Sequence, residues 1–155
     1  MTDANRIAIA ADHAGFELKE KLEAVLAGLG YVVDDLGTDS AASTDYADFA
    51  HPLAARVSEG RVARGVLLCG TGLGMSYVAN RYRGVRAPVS WSHESAELAR
   101  RHNDANVLVL PARFVDDDAA VAILRTWLDT PFEGGRHHRR VVKIERGSPE
   151  GGTTP

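Results

Sequence analysis

A single cysteine in 155 residues rules out an internal disulfide, and six scattered histidines offer no spacing that resembles a zinc site. No apolar run approaches the ~20 residues needed to cross a bilayer, and the polar start Met1-Thr2-Asp3-Ala4-Asn5 lacks a signal peptide's apolar segment. A cytoplasmic protein with no membrane association and no required metal is the expectation. Surplus positive charge is missing too. A formal net charge of −3 argues against a general nucleic-acid binder, because a sequence-independent grip on phosphates needs an excess of Lys and Arg. Any anion site must therefore be local. No internal repeat is evident, and 45% hydrophobic with 25% charged content suits one globular domain with a real core. That domain is assigned to residues 1–146. Residues 147–155, mostly Gly, Ser, Thr and Pro with little to bury, are expected to form a disordered tail.

The most informative stretch is Val66-Leu67-Leu68-Cys69-Gly70-Thr71-Gly72-Leu73-Gly74-Met75-Ser76. Its first four residues read as a buried parallel strand, its alternating glycines as a tight turn, and Met75 to Asn80 as the start of a helix. Such a turn places successive backbone N–H groups around a small concavity that suits an anion. A lone Cys in an apolar strand is more often a small buried hydrophobe. At the strand end, loop and helix donors favour the thiolate, which makes Cys69 a candidate acid or base. Nucleotide binding competes for such a turn, but Gly70 to Met75 lacks the third glycine of G-x-G-x-x-G and is no P-loop.

Around this stretch the chain alternates strands and helices. Strands are predicted at Arg6–Ala11, Tyr31–Asp35, Val66–Cys69, Gly84–Val89 and Asn106–Leu110. Helices are predicted from the apolar spacing of Leu18, Leu22, Val25, Leu26 and Leu29, of Phe49, Leu53 and Val57, and of Ala120, Ile123, Leu124, Trp127 and Leu128. Another runs from Ser92, a plausible cap, to Arg101. Five β/α units imply a five-stranded parallel sheet with helices on both faces. Asp12 and His13 follow the first strand, at the carboxyl edge where open α/β sheets bind ligands, although a cap and a solvated loop residue are their ordinary uses. Tyr46 opens a helix and serves equally well in packing or in function. The cluster Arg136-His137-His138-Arg139-Arg140 reads first as solvated surface, yet Arg136 and Arg140 lie four apart, where both can grip one phosphate.

Seven segments together resemble the ribose-5-phosphate isomerase B family, which includes the galactose-6-phosphate isomerase subunits. They are Asp12-His13-Ala14-Gly15, Thr44-Asp45-Tyr46, Cys69 to Ser76, Ala79-Asn80, Gly84-Val85-Arg86-Ala87, Arg101 to Leu108, and Glu133-Gly134-Gly135-Arg136-His137 with Arg140. They occur in the family's order and spacing across residues 6 to about 145.

The resemblance implies a Rossmann-like three-layer sandwich, a C-terminal extension packed on a partner subunit, and no metal or organic cofactor. It also implies a homodimer or dimer of dimers whose active sites are shared between subunits. Carried over, Cys69 resembles the base that moves a proton between C1 and C2, Thr71 its assistant at the substrate oxygens, and His102 the acid–base that opens the furanose ring. Gly70, Gly72, Leu73 and Gly74 match the loop that stabilises the enediolate; Asp12, Tyr46 and Asn103 match contacts to sugar hydroxyls. His13, Arg113, Arg136 and Arg140 match the phosphate grip. Retention of Cys69 resembles the cysteine-type branch. The implied reaction is aldose–ketose isomerisation, with ribose 5-phosphate as the default substrate. Relatives act on pentose, hexose or tetrose phosphates, and Trp91, His93 and Pro111 are placed to tune pocket size. A non-catalytic sugar-phosphate sensor would need the grip but have no use for Cys69 and His102 together.

Overall fold

Alternation along the strands sorts the core into two layers. The computed structural model describes residues 3–146. Strand β1 (Arg6–Ala11), β2 (Val32–Asp35), β3 (Arg64–Cys69) and β4 (Val107–Pro111) form a parallel sheet in the order β2-β1-β3-β4. Ile7, Ile9, Ala11, Val66, Leu68, Leu108 and Leu110 project to one face. There they meet α1 (Phe16–Gly28) through Leu18, Leu22 and Leu26, α4 (His93–Asn103) through Ala96, and α5 (Asp117–Asp129) through Ile123, Leu124 and the fully buried Trp127. The intervening residues Ala8, Ala10, Leu67, Cys69, Val107 and Val109 face the opposite layer, α2 (Tyr46–Ser58) and α3 (Leu73–Ala79). The period of two is what a sheet covered on both sides requires. The result is a Rossmann-like α/β fold. None of its helices, among the described residues, is long and apolar enough to cross a membrane.

The sheet has four strands, not the expected five. Residues 84–89 run beside β4 and pair with it at an isolated parallel bridge, Val89 to Val109, where the Val109 N–H donates to the Pro88 carbonyl at 3.1 Å and the Ser90 N–H to the Val109 carbonyl at 2.9 Å. The Val107 N–H also donates to the Arg86 carbonyl at 3.3 Å. The pairing goes no further, and side chains take the neighbouring polar groups. Asn106 Oδ1 accepts from the Arg86 N–H at 2.8 Å, and Asn80 Oδ1 accepts from the Ala87 N–H at 2.9 Å. The Ala87 carbonyl accepts from Ser76 Oγ and Asn80 Nδ2, and Pro88 has no N–H to give. Pairing beyond the single bridge therefore stops at Pro88 although the apolar alternation is right.

The basic cluster forms helix α6 (Arg136–Glu145), which packs on the end of α4. Only His137 of this helix is buried, and Val142 and Ile144 remain exposed on the single chain. The tail expected at 147–155 lies outside the described residues.

Candidate active site

Three strands deliver side chains to the carboxyl edge of the sheet. Beyond β1, Asp12 is buried, and its Oδ1 accepts from the N–H groups of Ala14 and Gly15 at 3.0 and 3.3 Å. It therefore organises a turn rather than capping α1. His13 is no free loop residue either: its N–H donates to Thr44 Oγ1 at 3.0 Å, and the Thr44 N–H donates to His13 Nδ1 at 3.1 Å. With Nδ1 accepting, the neutral ring carries its proton on Nε2. This reciprocal pair ties the β1 turn to the loop that leads into α2.

Cys69 ends β3, almost fully buried at 4% exposure. Its carbonyl accepts from the Ala112 N–H at 2.9 Å, and the Gly70 carbonyl accepts from the Arg113 N–H at 3.0 Å. These two bonds stitch the loop after β3 to the loop after β4. They also set Arg113 against the glycine turn: a Cβ at Gly70 would lie 3.2 Å from Arg113 Cδ and Nη1. Gly72 has φ +75°, a left-handed conformation that side chains avoid, and it sits on Val89 and Val109. Gly74 lies beneath the ring of Tyr46, so a Cβ there would fall 2.5 Å from Cζ. Among the described residues, no backbone carbonyl outside the regular elements takes the N–H of Gly70, Thr71 or Gly72. Thr71 Oγ1 accepts from the Leu73 N–H at 3.2 Å, holding the turn as α3 begins. One chain thus assembles Asp12, His13, Tyr46, Cys69, the Gly70–Gly74 turn and Arg113.

His102, Asn103, Arg136 and Arg140 form a second group, at the opposite edge. His102 and Asn103 end α4, just before β4 begins at Val107, whereas Cys69 pairs with Pro111 at the far end of that strand. The four strand steps between Val107 and Pro111 span about 13 Å at ~3.3 Å each. The His102 ring lies flat on His137, with centroids 4.3 Å apart and planes 10° from parallel. Glu133 Oε1 accepts from Arg101 Nε at 2.6 Å and lies 2.5 Å from Nη2 in an ion pair, which holds its carboxyl below the usual range. Glu133 Oε2 lies 3.2 Å from His137 Nε2, near enough for an ion pair but not aligned for a hydrogen bond. Burial, then His102 and Arg136, push the His137 pKa down. Arg136 and Arg140 are exposed and make no ion pair among the described residues. Of all these site residues, only Asn103 faces the large groove of 1190 Å³ between α3, residues 81–88 and α6.

Sequence reasoning passes over three residues that shape the two groups. Thr44, which locks His13, is visible in the sequence only as part of the Thr44-Asp45-Tyr46 segment. Glu133 and His137 stand in a basic run that reads as solvated surface. Their best signal is the Glu133-to-His137 spacing of four.

Residues 7–144 match the family described as Ribose/Galactose Isomerase. Ribose-5-phosphate isomerase B of Escherichia coli (strain K12) is 45% identical over 139 residues, covering 90% of this chain and 93% of that protein. The crystal structure of a ribose 5-phosphate isomerase from Thermotoga maritima is 51% identical with a TM-score of 0.89, covering 93% of this chain and 99% of the other. Ribose-5-phosphate isomerase B from Mycoplasma genitalium, solved with bound ribulose-5-phosphate, is 43% identical with a TM-score of 0.87, covering 91% of this chain and 94% of the other. With a family match over most of its length and relatives of this identity and coverage, the chain belongs to the ribose/galactose isomerase family.

Proposed function

We propose that this protein interconverts ribose 5-phosphate and ribulose 5-phosphate in the cytoplasm, as a homodimer or dimer of dimers whose sites are each built from two chains. The observation that carries the reading is Cys69, buried at the end of β3 beneath a turn with open N–H groups and beside Arg113. Isomerisation needs a base for a weakly acidic carbon, donors for a developing oxyanion, and a fixed phosphate that aligns the reacting carbons. In this reading His102 of the partner subunit exchanges protons at the ring oxygen and the anomeric hydroxyl, giving the open aldehyde. The Cys69 thiolate then takes the proton from C2, and the C1 carbonyl oxygen becomes an enediolate oxygen facing the N–H groups of Gly70 to Gly74. Return of the proton to C1, with Thr71 exchanging protons at the oxygens, leaves the ketose. Asp12, Tyr46 and Asn103 take the hydroxyls. His13 and Arg113 meet the phosphate from one chain, Arg136 and Arg140 from the other. The placement of the two groups at opposite edges of one sheet supports a site completed by a second copy.

Turnover of ribose 5-phosphate by Cys69→Ala, measured with affinity for the substrate, tests the assignment. A general base typically contributes ~10²–10⁴-fold, so turnover should fall by that range while binding persists. Activity within a few-fold of the parent, at ~10⁰–10¹-fold loss, excludes Cys69 as the base. A panel of tetrose, pentose and hexose phosphates assigns the sugar.

A further inference from the structure

His137 is the only buried residue of α6, at 5% exposure, and the reaction scheme above gives it no task. Around it stand His102 and Arg101 from α4, Glu133 from the preceding loop, and Arg136 and Arg140 from its own helix. His102, by contrast, is half-exposed on the last turn of α4, where an imidazole with two free torsions has no intrinsic reason to keep one plane. What holds it is the flat stack on His137, 4.3 Å between centroids.

We propose that His137 is the positioning residue for His102: a buried, uncharged platform that fixes the plane of the imidazole assigned to ring opening, and the proposal rests on that assignment. Orientation matters because a proton donor must meet a particular lone pair of the substrate, and small misplacements are costly. Neutrality matters because His102 alternates between two charge states during ring opening. A neutral aromatic face stacks on an uncharged imidazole and attracts a protonated one. A second charged ring would expel it. Burial beside His102 and Arg136 keeps His137 in the uncharged form. Glu133, held by Arg101, closes the far edge of the His137 ring.

The same three side chains, His102, Glu133 and His137, bring potential ligand atoms within 4.8 Å of one another. Their arrangement is that of a stack. Parallel rings direct their in-plane lone pairs side by side rather than to one point, Glu133 is engaged by Arg101, and Arg136 and Arg140 add positive charge.

The test uses the assembled enzyme with His137→Ala, His137→Phe and, as reference, His102→Asn. Proton–carbon NMR of the imidazole groups, with His102 assigned by its loss in His102→Asn, reads the stack directly through the ring current of residue 137. His137→Ala should move the His102 resonance, and His137→Phe should keep it displaced. Kinetically, His137→Ala should lower kcat for ribose 5-phosphate by about tenfold or more with KM little changed, as expected for a misplaced proton donor. D-Erythrulose 4-phosphate has no free hydroxyl placed to close a furanose and should lose no more than about twofold, since its reaction skips that donor. His137→Phe should restore most of the ribose 5-phosphate turnover. An unmoved His102 resonance, equal losses on both sugars in a folded enzyme, or no rescue by Phe overturns the proposal. If His102→Asn itself loses equally on both sugars, the ring-opening assignment has failed instead; in that case, or if the parent enzyme refuses the tetrose, the NMR shift and the Phe rescue decide.

Discussion

Gly74→Ala separates the geometry of the turn from its stability. A Cβ at this position would lie 2.5, 2.6 and 2.8 Å from Cζ, Cε2 and Cδ2 of Tyr46. Carbon atoms in contact rest about 3.5–4.0 Å apart, so the ring or the turn must yield by about 1 Å. Tyr46 is 44% exposed and can swing outward, which makes the overlap cheap to relieve. Gly74 is also helical, and Ala there gains about 0.5–1 kcal/mol of propensity and backbone entropy. The two effects nearly cancel in stability, and the melting temperature should move by no more than about 4 °C. Catalysis should not be spared. Either Tyr46 leaves the sugar or the N–H groups of the turn shift, and a displacement of about 1 Å in a positioned group can cost up to ~10²-fold in rate. Steady-state kinetics with ribose 5-phosphate and a thermal melt make the comparison. The double variant Tyr46→Ala/Gly74→Ala should be no worse than Tyr46→Ala alone, because the overlap is then gone. A kcat/KM for Gly74→Ala equal to the parent's, or a double variant clearly worse than Tyr46→Ala alone, refutes the reasoning.

Two further outcomes concern stability. The folded state holds the His137 pKa below its ordinary value, through burial first and then His102 and Arg136. On acidification through the usual histidine range near 6.5, the unfolded chain therefore takes up this proton first, and stability falls as pH drops. Urea unfolding at fixed protein concentration should show a shallower loss between pH 7.5 and 5.5 in His137→Phe than in the parent; identical slopes would contradict it. Lys19, with no exposed surface, pairs with Glu20, Glu23 and Asp35 at 3.0, 3.3 and 2.8 Å. Lys19→Met leaves those partly exposed carboxylates facing one another and should cost about 1–3 kcal/mol without changing kcat of the folded enzyme. An unchanged unfolding midpoint would show the cluster to be energetically idle.

Much of this is legible in the sequence, for definite reasons. Val66 to Cys69 followed by alternating glycines could hardly be anything but a buried strand entering a turn, and the carboxyl edge of a parallel sheet then gathers Asp12, His13 and Cys69. The opposite placement of His102 is readable too, since a helix that precedes a parallel strand ends where that strand begins. Residues 84–89 mislead because Val85, Ala87 and Val89 alternate like a strand. What limits them to one bridge is Pro88, which has no N–H to donate to β4, and Asn106, which takes the Arg86 N–H from a position set by tertiary packing that no local pattern carries. His137 is hidden in the same way. In a run of basic residues its burial depends on how α6 lands on α4, not on any periodicity of its own.

The shared site is the central claim, and mixing two inactive variants tests it most directly. Cys69→Ala lacks the base, and Arg136→Ala/Arg140→Ala lacks half of the phosphate grip. Allowed to exchange subunits in equal amounts, they should form hybrids in which one of the two sites combines Cys69 of one chain with both arginines of the other. Half of the dimers being hybrid, about one quarter of the parental activity should return. No recovered activity after verified exchange would mean that each chain carries its own complete site, in contradiction to the account.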